Sequence, residues 1–145
     1  MEDIEKIHST FAAVASSLGY SEVHGRIISA LLVAGKPMSM EELTQQTNYS
    51  PASISLSLDL LEIIGIIKKS RLGKKLYARI EGDLIEGLRN AMMLKLQKEI
   101  KSTLGELGAL KGDAKSRKAV LVVEKEVRRL QDYIQRLSEV PVPKE

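Results

Sequence analysis

The chain has 145 residues, 22 Lys and Arg against 19 Asp and Glu, and a net charge of +3. That length allows one domain, or one small domain with an appendage. The absence of Cys excludes disulfides, thiolate metal sites and cysteine nucleophiles. With no Trp and a single Phe the core must be mostly aliphatic, and abundant Leu, Ile, Lys and Glu lean towards a helical protein. The longest apolar runs, such as residues 27–34, are too short to span a bilayer, and the acidic start Met1–Glu5 lacks the positive region of a signal peptide. A soluble, cytoplasmic protein without a membrane partner is expected.

In chain order, Ile4, Ile7, Phe11, Val14 and Leu18 recur at spacings of three and four, one face of a first helix that Gly19 can end. Ser21 can cap a second helix with Val23, Ile27, Ala30, Leu31 and Ala34 inward, closed by Gly35. Lys36–Ser39 reads as an extended link. Ser39 stands three residues before Glu42, the spacing of a capping box, and predicts a brief third helix to about Gln46. After the polar turn Thr47–Tyr49, Ser50 is a good N-cap and Pro51 occupies the favoured first helical position. Ile54, Leu58, Leu61 and Ile64 form the buried stripe of this fourth helix, and Gly65 stops it.

Two apolar-basic strands follow, Ile66–Ser70 and Lys75–Ile80, around a tip at Arg71–Lys74. Leu76, Ala78 and Ile80 alternate with Lys75, Tyr77 and Arg79, the period of a half-buried strand. From Glu81 a long helix recurs at Leu84, Leu88, Met92, Leu96, Ile100 and Leu104, and polar Lys111–Lys118 reads as a connection. The last helix has the cleanest period: Val120, Val123, Val127, Leu130, Ile134 and Leu137 make a heptad seam that Pro141 and Pro143 end. So narrow a stripe needs a partner, either residues 82–104 of the same chain or the same helix of a second chain. The prevalence of symmetric dimers favours the second, a homodimer.

Charge is segregated along the chain. Residues 37–65 hold Glu41, Glu42, Asp59 and Glu62 and no cation, whereas residues 66–80 hold Lys68, Lys69, Arg71, Lys74, Lys75 and Arg79 and no acid. A capped helix followed by a cationic hairpin is the layout of a winged helix-turn-helix, and the positive edge would attract a polyanion despite the near balance of the whole. The plainer reading of the hairpin is an edge strand kept from aggregating by its lysines.

The stretch from Ser21 to Ile80 resembles the winged-helix domain of MarR-type transcriptional regulators. Gly25-Arg26, Lys36-Pro37, Glu42-Leu43, the Ser50 to Ser55 helix and Leu61 to Gly65 are most similar to the GbsR branch. The resemblance covers less than half the chain. It implies a mainly α fold with a small β-hairpin, a dimer built from terminal helices, double-stranded DNA as partner and repression of nearby genes. It also implies that Ser50, Pro51, Ala52, Ser53, Ser55, Leu56 and Ser57 face the groove and that Arg71, Gly73, Lys74 and Lys75 form the wing; from its charge, Lys69 is a further candidate for contact with the DNA backbone. Residues 50–58 depart from the family in carrying no Arg, Lys, Asn or Gln, so bidentate reading of guanine or adenine edges is not open to them. Serine hydroxyls suit phosphates or either class of base edge, and Ala52 or Leu56 suits a thymine methyl.

The implied organisation is an N-terminal helix supporting the dimer at 1–19, the DNA-binding domain at 20–80, a helical dimerisation region at 81–140 and a tail at 141–145. His8 and His24, the only histidines, have no matching acid or thiol cluster and read as surface or interface residues rather than metal ligands. No phosphate loop, nucleophile elbow or zinc spacing occurs, so neither catalysis nor a cofactor is expected. Phe11, Tyr20, Tyr49, Tyr77 and Tyr133 are too scattered to outline an effector pocket. The competing function is a winged-helix module for protein interaction, or a non-specific architectural role in chromatin.

Overall fold

A computed structural model describes residues 2–144, mostly helical with one small antiparallel sheet. The order is α1 (Glu2–Ser17), α2 (Glu22–Ala34), β1 (Met38–Ser39), α3 (Met40–Thr47), α4 (Pro51–Ile63), β2 (Ile67–Leu72), β3 (Lys75–Ile80), α5 (Leu84–Ala109), a 3₁₀ turn at Leu110–Gly112 and α6 (Ala114–Leu137). The chain forms two compact units, Met1–Gly87 and Leu88–Glu145. No helix among the described residues is long and apolar enough to cross a membrane.

In the first unit the caps set the helices. The Ser21 hydroxyl accepts from the His24 N–H, and Gly35 ends α2 in the left-handed region at φ 64°. Ser39 and Glu42 complete a capping box at 3.2 and 3.1 Å, and the Ser39 backbone N–H holds the Glu42 carboxyl below the usual carboxylate range. Asn48 closes α3 with φ 60°, and Ser50 opens α4. At the other end of α4 the Ile66 N–H donates to Leu61 O at 2.9 Å across Gly65, whose φ of 84° turns the chain directly into the sheet. Ile27, Ile28 and Leu31 of α2, Leu43 of α3, Ile54, Leu58 and Leu61 of α4, and Ile66, Ile67 and Ala78 form the buried aliphatic core.

Three features differ from the sequence expectations. The link before α3 contains a strand: Met38 and Ser39 pair with Ala78 and Tyr77, so the sheet order is β1-β3-β2 and β3 is central. The hairpin is longer than expected, since Leu72 pairs with Lys75 and the turn is only Gly73-Lys74. Helix α1 docks on α2 through small residues, with His8, Ala12 and Ala15 buried, while Ile4, Ile7, Val14 and Leu18 remain exposed. His8 is thus no surface residue: its Nδ1 lies 2.8 Å from Ser29 Oγ and its Nε2 3.4 Å from Gln46 Oε1, joining α1 to α2 and α3.

In the second unit Met93 and Ile100 of α5 bury against Ile134 of α6, with Met92, Leu104 and Val127 packed alongside. Asp113 caps α6 by accepting from the Lys115 N–H, so the expected connection Lys111–Lys118 is largely helix. Lys111 pairs with Glu124 at 2.7 Å, and Arg89 donates to the Val140 carbonyl beyond the end of α6. The heptad seam is therefore divided: Val120, Val127 and Ile134 turn inward, whereas Val123, Leu130 and Leu137 stay exposed.

The docking of α1 depends on Gly25. A Cβ there would lie 2.8 Å from Ala12 Cα and 3.0 Å from Ala15 Cβ, against backbone that cannot swing aside. Gly25→Ala gains helix propensity but forces the helices apart, for an expected net loss of about 1–2 kcal/mol. Urea denaturation checks this; an unchanged midpoint would mean that α1 does not need the close approach.

Candidate nucleic-acid interface

Helix α4 buries Ile54, Ser57, Leu58 and Leu61 and presents its opposite side to solvent. Ser50, Pro51, Ala52, Ser53, Ser55 and Leu56 are exposed. Ser57 is not, because its position three residues after Ile54 turns it into the core, where it cannot face a groove. The Ser50 hydroxyl is occupied as a cap: it accepts from the Ser53 N–H at 3.2 Å and donates to Ser53 Oγ at 3.1 Å. Of the four serines, Ser53 and Ser55 are the ones that offer outward hydroxyls.

Register sorts the hairpin cations onto two faces, because directly opposed residues share a side of the sheet. Ile67 pairs with Ile80, Lys69 with Ala78 and Arg71 with Leu76; buried Ile67 and Ala78 mark this as the inner face. Lys68 with Arg79, Ser70 with Tyr77, and Leu72 with Lys75 form the outer face. Arg71 lies within β2 rather than at the turn, one pair short of Gly73-Lys74. Arg71, Gly73, Lys74 and Lys75 are all exposed.

Lys69, expected to contact DNA, has another role. Its ammonium pairs with Asp59 of α4 and stands 3.8 Å from Glu62 Oε1, and its backbone N–H donates to Glu62 Oε2 at 2.8 Å. The clamp ties β2 to α4 and sets one positive charge against the two carboxylates that α4 carries. Its sequence signal was present: Asp59 and Glu62 share a flank at helical spacing, and Lys69 has the inward parity of Ile67. Arg79 is also engaged, with Glu81 at 3.4 Å. Among the described residues Lys68, Arg71, Lys74 and Lys75 form no ion pair, and they are the cations left for a polyanion.

Sequence reasoning missed the length of the apolar crest on α4. Leu56 does not stand alone, since Leu60 and Ile63 follow it on the same outward side, 65, 45 and 79% exposed respectively.

No family model matches the chain, and no curated protein sequence matches it. Among solved structures it is similar to the crystal structure of a transcriptional regulator, with a TM-score of 0.67 and 20% identity over 94% of this chain and 95% of that one. The fold is a winged helix-turn-helix, mostly helical with a small three-stranded antiparallel sheet. The organohalide-sensing transcriptional regulator RdhR in its ligand-free form is also matched, with a TM-score of 0.44 and 17% identity over 99% of this chain and 82% of that one.

The clamp should be weak and pH-dependent. Hydrogen bonding to Asp59, against some desolvation, raises the Lys69 pKa above the ordinary lysine value. Its contribution is therefore fully present below that ordinary value and is lost as pH rises through the raised one. Asp59→Asn should cost up to about 1 kcal/mol near neutrality, as partly exposed pairs do. The difference from the parent should vanish in strong alkali. Parallel urea titrations at the two pH values test this; a difference that persists in alkali would assign the effect to something other than the charge pair.

Proposed function

We propose that the protein is a DNA-binding transcriptional regulator of the MarR type, nearest the GbsR branch, that acts as a cytoplasmic repressor and holds duplex DNA as a homodimer. The observation that carries this is the set of unpaired cations Lys68, Arg71, Lys74 and Lys75 on a hairpin beside a helix whose two acids share the Lys69 ammonium. In this reading residues 20–80 bind DNA, α1 and the 81–140 region build the dimer, and 141–145 is a tail. Ser53 and Ser55 meet phosphates or base edges, Ala52 and Leu56 meet apolar base atoms, and Arg71 reaches a groove or its backbone.

Affinity would come mainly from the wing and would be strongly salt-dependent. Random duplex DNA and the upstream region of the chain's own gene should both bind at low salt, with log K falling linearly in log salt. Arg71→Ala should reduce that slope by about one if it loses a phosphate contact. Fluorescence anisotropy across ionic strength measures this, and no binding to either duplex at low salt would end the DNA reading. The exposed aliphatic crest on α4 supports the rival, protein docking, which would leave the DNA titrations flat.

For the dimer, support comes from the exposed line Val123, Leu130 and Leu137 on α6 and from the outward Ile4, Ile7, Val14 and Leu18 of α1. Leu130→Glu puts a charge at the middle of the α6 line and should convert the dimer to a monomer of unchanged helicity by sedimentation equilibrium and circular dichroism. A variant that remains dimeric would move the seam off α6.

A further inference from the structure

The crest of α4 has a chemistry of its own. Ala52, Leu56, Leu60 and Ile63 follow one another at spacings of four, four and three on the side opposite the buried Ile54, Leu58 and Leu61. Single exposed leucines are ordinary on a protein surface. A strip covering about 16 Å of helix is not, when the same helix offers no Lys, Arg, Asn or Gln. We infer that this crest recognises the C5-methyl group of pyrimidines in the major groove, thymine or 5-methylcytosine, by apolar contact. The inference rests on the DNA-binding reading and deepens it.

Charge complementarity decides for duplex DNA as the occupant. The unpaired Lys68, Arg71, Lys74 and Lys75 would hold the phosphates beside the helix. Asp59, which borders the crest and would repel phosphate, is paired with the Lys69 ammonium, and Glu62 accepts from the backbone N–H of the same residue. An aliphatic side chain against the edge of a guanine or an unmethylated cytosine leaves that edge's polar groups without partners. Against a C5-methyl it buries apolar surface on both sides. Ala52 and Leu56 are about 6 Å apart along the axis, close to two base-pair steps. One helix can thus meet methyl groups on more than one step.

The test uses the full chain and fluorescence anisotropy at low salt. An alternating A·T duplex is compared with the same duplex in which deoxyuridine replaces thymidine, and an alternating G·C duplex with its 5-methylcytosine form. Two buried methyl contacts predict about tenfold tighter binding of the thymidine duplex over the deoxyuridine one. A gain in the A·T arm alone assigns the crest to thymine; a gain in both assigns it to C5-methylated pyrimidines generally. Leu56→Ala removes one of the two contacts and should lower the ratios about threefold, whereas Arg71→Ala should weaken every duplex alike and leave them unchanged. Equal binding of thymidine and deoxyuridine duplexes overturns methyl recognition and leaves DNA binding standing. A ratio that Leu56→Ala leaves unchanged belongs to duplex shape and overturns it too. No binding to any duplex at low salt removes the DNA reading itself.

Discussion

The relation between α4 and the hairpin depends on one polar clamp, in which Lys69 bonds Glu62 through its backbone and meets Asp59 and Glu62 through its ammonium. Its energy is small, since partly exposed pairs contribute about 0–1 kcal/mol. Burial of Ile54, Leu58, Leu61, Ile66 and Ile67 supplies far more, at roughly 1.5–3 kcal/mol for each such side chain. The clamp's importance lies in position and charge. Hydrophobic burial is non-directional and leaves the angle of a two-stranded projection loosely set, whereas a hydrogen bond from the strand backbone fixes where β2 leaves α4. The same contact sets one positive charge against the two carboxylates of α4.

This division of labour explains why the six cations of residues 66–80 cannot be treated as one patch. Lys69 is spent on α4 and Arg79 lies beside Glu81. Cross-strand pairing puts Lys68 and Lys75 on the outer face and Arg71 on the inner one. A polyanion along the hairpin edge can meet both faces only near the tip, where the turn Gly73-Lys74 brings them together. The Gly73 φ of 65° is what a tight two-residue turn demands, so the residue that shapes the wing also gathers its charge.

Much of the first unit was legible because its boundaries are written in caps. Ser21, the Ser39 and Glu42 pair, Ser50 with Pro51, and Gly35 and Gly65 each satisfy orphan backbone groups locally, and local chemistry needs no knowledge of the fold. What could not be read was settled by distant partners. Strand β1 is two residues long and exists only because β3 passes beside it. The stripe Ile4, Ile7, Phe11, Val14 and Leu18 predicts a helix correctly but not which side packs. Gly25 admits α1 so closely that Ala12 and Ala15 make the contact and the large side chains are left outside. For the candidate site, residue types and order were visible, but the loss of Ser57 to the core and of Lys69 to the clamp required the registers of α4 and β2.

The α6 seam shows how one pattern can serve two contacts. A heptad places its two apolar positions on neighbouring but distinct lines, and a helix packed in a hairpin can bury only the line that faces its neighbour. In the second unit that line is Val120, Val127 and Ile134, of which Val127 and Ile134 pack with Met93 and Ile100 of α5. Folding back therefore does not exhaust the seam. Val123, Leu130 and Leu137 keep the spacing of seven on the outside, and Tyr133 extends the line between them. Intrachain packing and a second chain are thus not exclusive alternatives for this helix. Packing on α5 would hold α6 straight in advance, lowering the ordering cost that pairing with another copy would otherwise meet.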